Sequence, residues 1–325
     1  MPDELLSSWI CRIAAGNTLI IRQFTRSVWP DISIWTRDID LFAPEKIIQT
    51  LAHRCEIDYP TAFSTTLRSY IGIITPYGGE GLTQFITPIG VYHRIRKDPG
   101  QQWCPQCFIE DETPYWRRSW RLAFNTVCLK HGLVLADRCQ DCGTPISLHR
   151  SLNFRCFVCE AHFSDHPQQS AKSVVLQLQG QINYVINGLC GDSFPFSFGN
   201  SHPLTFFRIL STLLRMLSSN PRAHRLRRVI EKHRDLIQMP KPVFTNGNRF
   251  EDLGVNSRQL VMERLYYLIN GWPWMFIGYC QDSDFLWTWV TKDQGQKTAY
   301  ELSSIADIFL SRHVPIRKGP GFVNR

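Results

Sequence analysis

The sequence predicts a mainly α-helical protein of several modules, with an N-terminal helix-turn-helix, two tandem cysteine-rich knuckles in the middle and a helical C-terminal region. Three observations carry that prediction. Apolar residues recur every three or four positions in both outer parts of the chain, the period of an amphipathic helix. Four Cys/His pairs of identical short spacing stand between residues 104 and 159. Between the first helices and those pairs runs ITPYGGEGLTQFITPIG, which reads as turns with one or two short strands.

In chain order, residues 3–15 put Leu5, Leu6, Trp9, Ile10 and Ile13 on one helical face, with Asp3 and Glu4 in the first turn. A second helix is expected over 44–55, with Pro44 at its first position and Ile47, Ile48, Leu51 and Ala52 as its apolar stripe. After Glu56–Tyr59 a third helix is expected from Pro60 to about Tyr70. Two short helices with a tight connection form the helix-turn-helix pattern. If it reads DNA, Thr61, Ser64, Thr65 and Arg68 face the major groove. Helices are further expected over 174–188, 203–218, 222–237 and 256–270, and the final RKGPGFVNR reads as a frayed tail. The expected division is 1–100, 101–170 and 171–325, and a chain of 325 residues has room for about two domains of ordinary size.

Hydrophobic residues at 43% and aromatics at 12% exclude an intrinsically disordered chain. The net charge of +8 favours a polyanionic partner. All of that excess lies beyond residue 170, and Arg215–Lys241 alone holds eight basic side chains against Glu231 and Asp235. The acidic start lacks the basic and apolar regions of a signal peptide. The most apolar stretch, Leu265–Cys280, is interrupted by Asn270, Gly271 and Pro273 and falls short of the ~20 residues that span a bilayer. It reads as a buried helix ending in a turn, and the chain is expected to be cytoplasmic. There cysteines stay reduced and serve metals rather than disulfides.

The pairs are Cys104/Cys107, Cys128/His131, Cys139/Cys142 and Cys156/Cys159. A two-residue spacing lets both donors of a pair point at one ion, and two pairs complete the thiolate and imidazole tetrahedron that suits zinc. Sequential pairing gives a site of Cys104, Cys107, Cys128 and His131 and another of Cys139, Cys142, Cys156 and Cys159. An interleaved cross-brace uses the same eight residues, and His162 is a further donor able to replace a thiolate. With four protein ligands each, two structural Zn²⁺ ions are the expected cofactors. Cys11, Cys55, Cys190 and Cys280 stand alone in apolar settings and read as core.

Inside the first metal loop lies Tyr115-Trp-Arg-Arg-Ser-Trp-Arg121. If helical, it stacks Trp116 on Trp120 and Arg117 on Arg121. The tryptophans read as the core of a small metal domain, and the arginines as phosphate contacts or as structure. The sequence has no G-x-x-x-x-G-K-[ST] loop, no H-E-x-x-H and no G-x-S-x-G, and Gly78, Gly79 and Gly81 are not followed by Lys-Ser/Thr. No catalytic centre is expected.

Several of these segments resemble the TniQ/TnsD family of transposon target-selection proteins: residues 2–14 (PDELLSSWICRIA), 103–111 (WCPQCFIED), 115–121 (YWRRSWR), 127–132 (VCLKHG) and 137–143 (DRCQDCG). Gly271-Trp272-Pro273 resembles a looser motif in the family's C-terminal part. The resemblance implies a protein that engages a target, either attachment-site DNA or an RNA-guided CRISPR effector complex on DNA. It would recruit an AAA+ ATPase, which brings the transposase, and it would act as a homodimer without a membrane partner. At 325 residues the chain has limited room for the extra DNA-binding modules of direct attachment-site readers, so an adaptor is the expected role. The alternatives are a sequence-specific DNA reader acting through residues 44–70 and the basic half, and a zinc-dependent nucleic-acid enzyme. The enzyme requires an open coordination position or a carboxylate pocket, for which Glu110, Asp111 and Glu112 are the only tight acidic cluster near a site.

Overall fold

The computed structural model describes residues 1–76, 83–89, 101–188, 202–218, 223–239, 249–285, 287 and 299–307. Gly78, Gly79, Gly81, Cys190, Lys241 and the C-terminal tail lie outside the described residues. The fold is mainly helical. Helices α1 (Leu6–Gly16), α2 (Ile21–Val28), α3 (Ile39–Phe42), α4 (Glu45–Arg54) and α5 (Tyr59–Ser64) precede the cysteines. The cysteine segment holds α6 (Pro105–Glu110) and one antiparallel pair, β1 (Val127–Cys128) with β2 (Leu133–Val134). Six helices follow: α7 (Ser173–Ile186), α8 (Pro203–Ser218), α9 (Ala223–His233), α10 (Val255–Ile269), α11 (Trp274–Asp282) and α12 (Tyr300–Ile305).

The periodic segments form helices because each has one continuous apolar face to bury. In α8, Phe206, Phe207, Leu210, Leu213, Leu214 and Leu217 are all buried, and Val261, Met262, Leu265 and Leu268 of α10 join the same core. A second cluster unites Leu6, Trp9 and Ile10 of α1 with Ile47, Ile48 and Leu51 of α4. Adjacent residues of one chain serve both, since Leu5 belongs to the larger cluster and Leu6 to the smaller.

Several expectations need correction. Pro44 is the cap of α4, with extended backbone, and not its first helical residue. The third helix does not run to Tyr70. It stops at Ser64, and Leu67–Tyr70 forms a separate 3-10 turn. Hydroxyls compete with the helix there: Ser64, Thr65 and Thr66 each donate to the carbonyl three residues back, at 2.7–2.8 Å. The carbonyl of Thr65 is taken by the amide of Leu6 at 2.9 Å, so it is unavailable to continue the helix. The stretch 71–100 shows isolated bridges in its described part, Ile71 with Thr75 and Ile86 with Leu122, instead of strands.

Leu265–Cys280 is two helices, α10 and α11, parted by Asn270–Pro273. Gly271 makes the break, at φ +86° and with so little room that a Cβ would stand 2.9 Å from Met275 Cγ. Cys280 is buried, whereas Cys11 and Cys55 are only half-buried against the N-terminal cluster.

Two wholly buried arginines of α10 tie the C-terminal helices down. Arg258 donates to the carbonyls of Leu253 (2.8 Å) and Ala123 (2.7 Å) and to Gln102 Oε1 (3.2 Å), which joins α10 to the cysteine segment. Arg264 pairs with Glu263 at 2.6 Å and with Glu231 of α9 at 3.2 Å. Breaking such a buried pair by deleting one partner costs about 3–5 kcal/mol, because the other charge is left desolvated.

Candidate metal centres

The eight donors meet in two groups of four, taken in chain order. Cys104, Cys107, Cys128 and His131 form one and Cys139, Cys142, Cys156 and Cys159 the other, with the donor atoms of each group within 4.8 Å of one another. His162 belongs to neither group; its Nδ1 lies 2.7 Å from Ser164 Oγ.

In the first group Cys107 Sγ is 3.7 Å from Cys128 Sγ, and His131 Nδ1 stands 3.4 Å from the sulfurs of Cys104, Cys107 and Cys128. Four donors at zinc bond lengths define S···S edges of about 3.8 Å and S···N edges of about 3.5 Å. The cage has the size of a tetrahedral zinc site. The second group matches it, with Cys139 to Cys159 at 3.4 Å and Cys142 to Cys156 at 3.6 Å. Both clusters are therefore able to hold a metal ion, with all four positions of a tetrahedron supplied by the protein.

One backbone turn builds three of the four pairs. The amide of the residue after the second donor returns to the carbonyl of the first: Gly132 to Cys128 (2.8 Å), Gly143 to Cys139 (3.0 Å) and Glu160 to Cys156 (2.9 Å). That residue sits in the left-handed region each time, at φ +64°, +69° and +62°. Two are glycines, which adopt this conformation freely, and Glu160 is the exception. The remaining pair differs. Cys104 precedes α6 and Cys107 lies in its first turn, with Pro105 at the start.

Outside the donors, Glu110 Oε2 lies 2.9 Å from His131 Nε2 and 2.7 Å from Lys130 Nζ. This leaves Nδ1 to face the sulfurs and fixes the ring by a carboxylate, as is usual for metal-binding histidines. Hydrogen bonds from Lys130, His131 and Gln106 hold the Glu110 carboxyl down at about 2. Asp111 is bound to Arg117, at 2.8 and 3.0 Å. Two of the three clustered acids are thus engaged with neighbouring side chains. Gln179 of α7 escaped the sequence reading. Its Oε1 accepts from the amides of Thr126 (2.8 Å) and Val127 (3.0 Å), and its Nε2 donates to Val127 O (2.7 Å). It satisfies the backbone beside Cys128, and a lone glutamine in a helix gives no sequence signal for that.

The aromatic–arginine segment is not an α-helix; only Arg118–Arg121 makes a 3-10 turn. Trp116 and Trp120 are both buried and meet edge-on against the ring of Phe108, at 5.0 and 5.6 Å. Arg117 lies over the rings of Tyr115 and Trp120 while it pairs with Asp111. Arg121 is wholly buried. It pairs with Asp38 at 2.6 Å and Asp40 at 3.3 Å and donates to Thr87 O at 3.0 Å. Asp40 in turn accepts from the amide and hydroxyl of Ser7, at 2.7 and 2.9 Å. Burial and the nearby Asp38 push the Asp40 carboxyl up to about 7, against the pull of Arg121 and Ser7.

Of the helix-pair residues, Thr61 and Ser64 are exposed on α5. Thr65 and Arg68 are half-buried and lie beyond its end. Arg68 pairs with Glu45 at 2.8 Å and donates to Ala43 O at 3.3 Å. The structure thus does not bring the six proposed nucleic-acid contacts onto one surface. Four of them, Thr61, Ser64, Thr65 and Arg68, lie at the helix pair, whereas Arg117 and Arg121 are turned into ion pairs within the chain.

Among the described residues, no helix is long and apolar enough to cross a membrane. A protein-family model described as TniQ matches residues 1–135. The match takes in α1 to α6 and all four donors of the first cluster, and it ends before Cys139. No curated protein matches the chain.

Proposed function

On the match of residues 1–135 to the TniQ family model, we propose that this protein is a target-selection adaptor in DNA transposition. It links a target-recognition complex, an RNA-guided CRISPR effector on DNA, to an AAA+ ATPase regulator and through it to the transposase. The family match is the observation that carries this reading. The two metal clusters support it, because an ion with four protein ligands has no open position for water or substrate. Each cluster would hold one Zn²⁺, whose role is to fix the ribbons that position neighbouring surfaces. In this reading the protein is cytoplasmic, does no chemistry of its own, and works as a homodimer.

The experiment has two arms, both with purified zinc-loaded protein. Selection from random duplex DNA at near-physiological salt is expected to recover no discrete motif. A motif would overturn the adaptor reading in favour of direct attachment-site recognition through residues 44–70, with exposed Thr61 and Ser64 as its first mutagenesis targets. A pull-down with an AAA+ transposition ATPase from the same cells, in the presence of ATP, is expected to retain the ATPase. Failure to retain it would also overturn the reading.

A further inference from the structure

Helix α9 sorts its charges by direction. At about 100° per residue, Leu226, Arg227, Ile230 and Glu231 fall on one side, and all four are buried. Arg227 donates to Leu217 O, and Glu231 pairs with the buried Arg264 at 3.2 Å and accepts from Met239 N at 3.1 Å. Arg225, Arg228 and Lys232 fall within an arc of about 60° on the opposite side, and all three are exposed. The helix's one acid is therefore locked inside, and its outward stripe is purely cationic.

We propose that Arg225, Arg228 and Lys232 form a contact surface for the phosphate backbone of duplex DNA, without regard to sequence. The choice of DNA rests on the transposition reading above; the choice of a polyanion rests on the helix itself. The three cations span about 10 Å along the axis, the length over which one DNA strand presents about three phosphates. On α9 itself the exposed side chains among the described residues are Arg225, Arg228, Lys232 and His233, and the exposed Ile237 lies beyond the helix end. The stripe thus lacks the apolar anchors on which protein interfaces depend. Such a contact supplies affinity and salt dependence and leaves specificity to the partner complex.

The test compares the full zinc-loaded chain with the triple variant Arg225→Ala/Arg228→Ala/Lys232→Ala. Binding to several unrelated 25-base-pair duplexes is followed by fluorescence anisotropy across a NaCl series. The slope of log K against log[NaCl] is expected to fall by about 2.7, three contacts at about 0.9 each, equally for every duplex. Affinity at low salt should drop at least tenfold. Melting temperature and zinc content should stay unchanged, and Arg225→Lys/Arg228→Lys should keep the slope. An unchanged slope in the triple variant would overturn the proposal. So would loss of the slope instead in Lys46→Ala/Arg54→Ala, which removes two exposed cations of α4, or tighter binding to duplex RNA than to duplex DNA. If the triple variant still retains the ATPase in the pull-down, only this surface has failed; if the wild type does not retain it, the adaptor reading has failed.

Discussion

His131 presents Nδ1 to three cysteine sulfurs at 3.4 Å while its Nε2 meets Glu110 Oε2 at 2.9 Å. The carboxylate fixes the tautomer and the ring plane before any ion arrives. Removing such a partner typically lowers metal affinity 10–100-fold. Glu110→Ala is therefore expected to weaken zinc at the first cluster by about that factor with stoichiometry unchanged, as measured by competition with a chromophoric chelator. Affinity equal to wild type would show that the glutamate does not orient the ring.

The two clusters differ in access. Cys104, Cys107 and Cys128 are buried, whereas Cys142 and Cys159 are exposed. Chelator challenge should release zinc in two phases, the second cluster first. Cys142→Ser should abolish the faster phase and leave the slower one. Release in a single phase would contradict this order.

Among the described residues Arg121 is the one cation paired with both Asp38 and Asp40, and its removal would leave two largely buried acidic side chains without that partner. Arg121→Ala should destabilise the protein by about 3–5 kcal/mol, read by urea denaturation. A loss below 1 kcal/mol would mean that the trio contributes little to holding α1 and α3 against the metal segment.

The same trio predicts a pH dependence. Burial pushes the Arg121 guanidinium down while Asp38 and Asp40 push it up, with the net shift upward, so the exchangeable proton belongs to Asp40. The Asp40 carboxyl rises from 3.8 to about 7 on folding. A carboxyl whose folded value is raised binds its proton more tightly in the native state. Its contribution is therefore full below about 4 and is lost as pH rises through about 7. The melting temperature of Asp40→Asn, set against wild type over pH 4–8, should gain relative to wild type as pH rises. A difference independent of pH would rule out titration of Asp40 in that window.

Glu160 occupies the left-handed position that glycine fills after His131 and Cys142. Glu160→Gly should stabilise the zinc-loaded protein by about 0.5–1 kcal/mol, since relief of strain exceeds the added chain entropy. Destabilisation in thermal melts would show that the Glu160 side chain matters more than its backbone.

What the sequence determined by itself is local. Two-residue donor spacings, the glycines that follow His131 and Cys142, and apolar stripes of period 3.6 lie within a few positions of one another. They were legible as four donor pairs, as α1, α4, α7, α8 and α10, and as family motifs, of which those from 2 to 132 lie within the TniQ match; that the pairs join in chain order was left to the tertiary structure. What the tertiary structure decided is everything that turns on partners distant in sequence. Arg121 resembles a phosphate contact until Asp38 and Asp40, some eighty residues earlier, are seen to enclose it. The helix after Pro60 looks long enough to reach Tyr70 until Leu6 takes the Thr65 carbonyl. Gln179 gains its meaning only beside β1, and the charges of α9 sort into buried and exposed only once Arg264 claims Glu231. Spacing specifies which two donors form a pair, whereas which pairs share an ion, burial and charge pairing depend on which surfaces meet, and that is fixed only when the chain is packed.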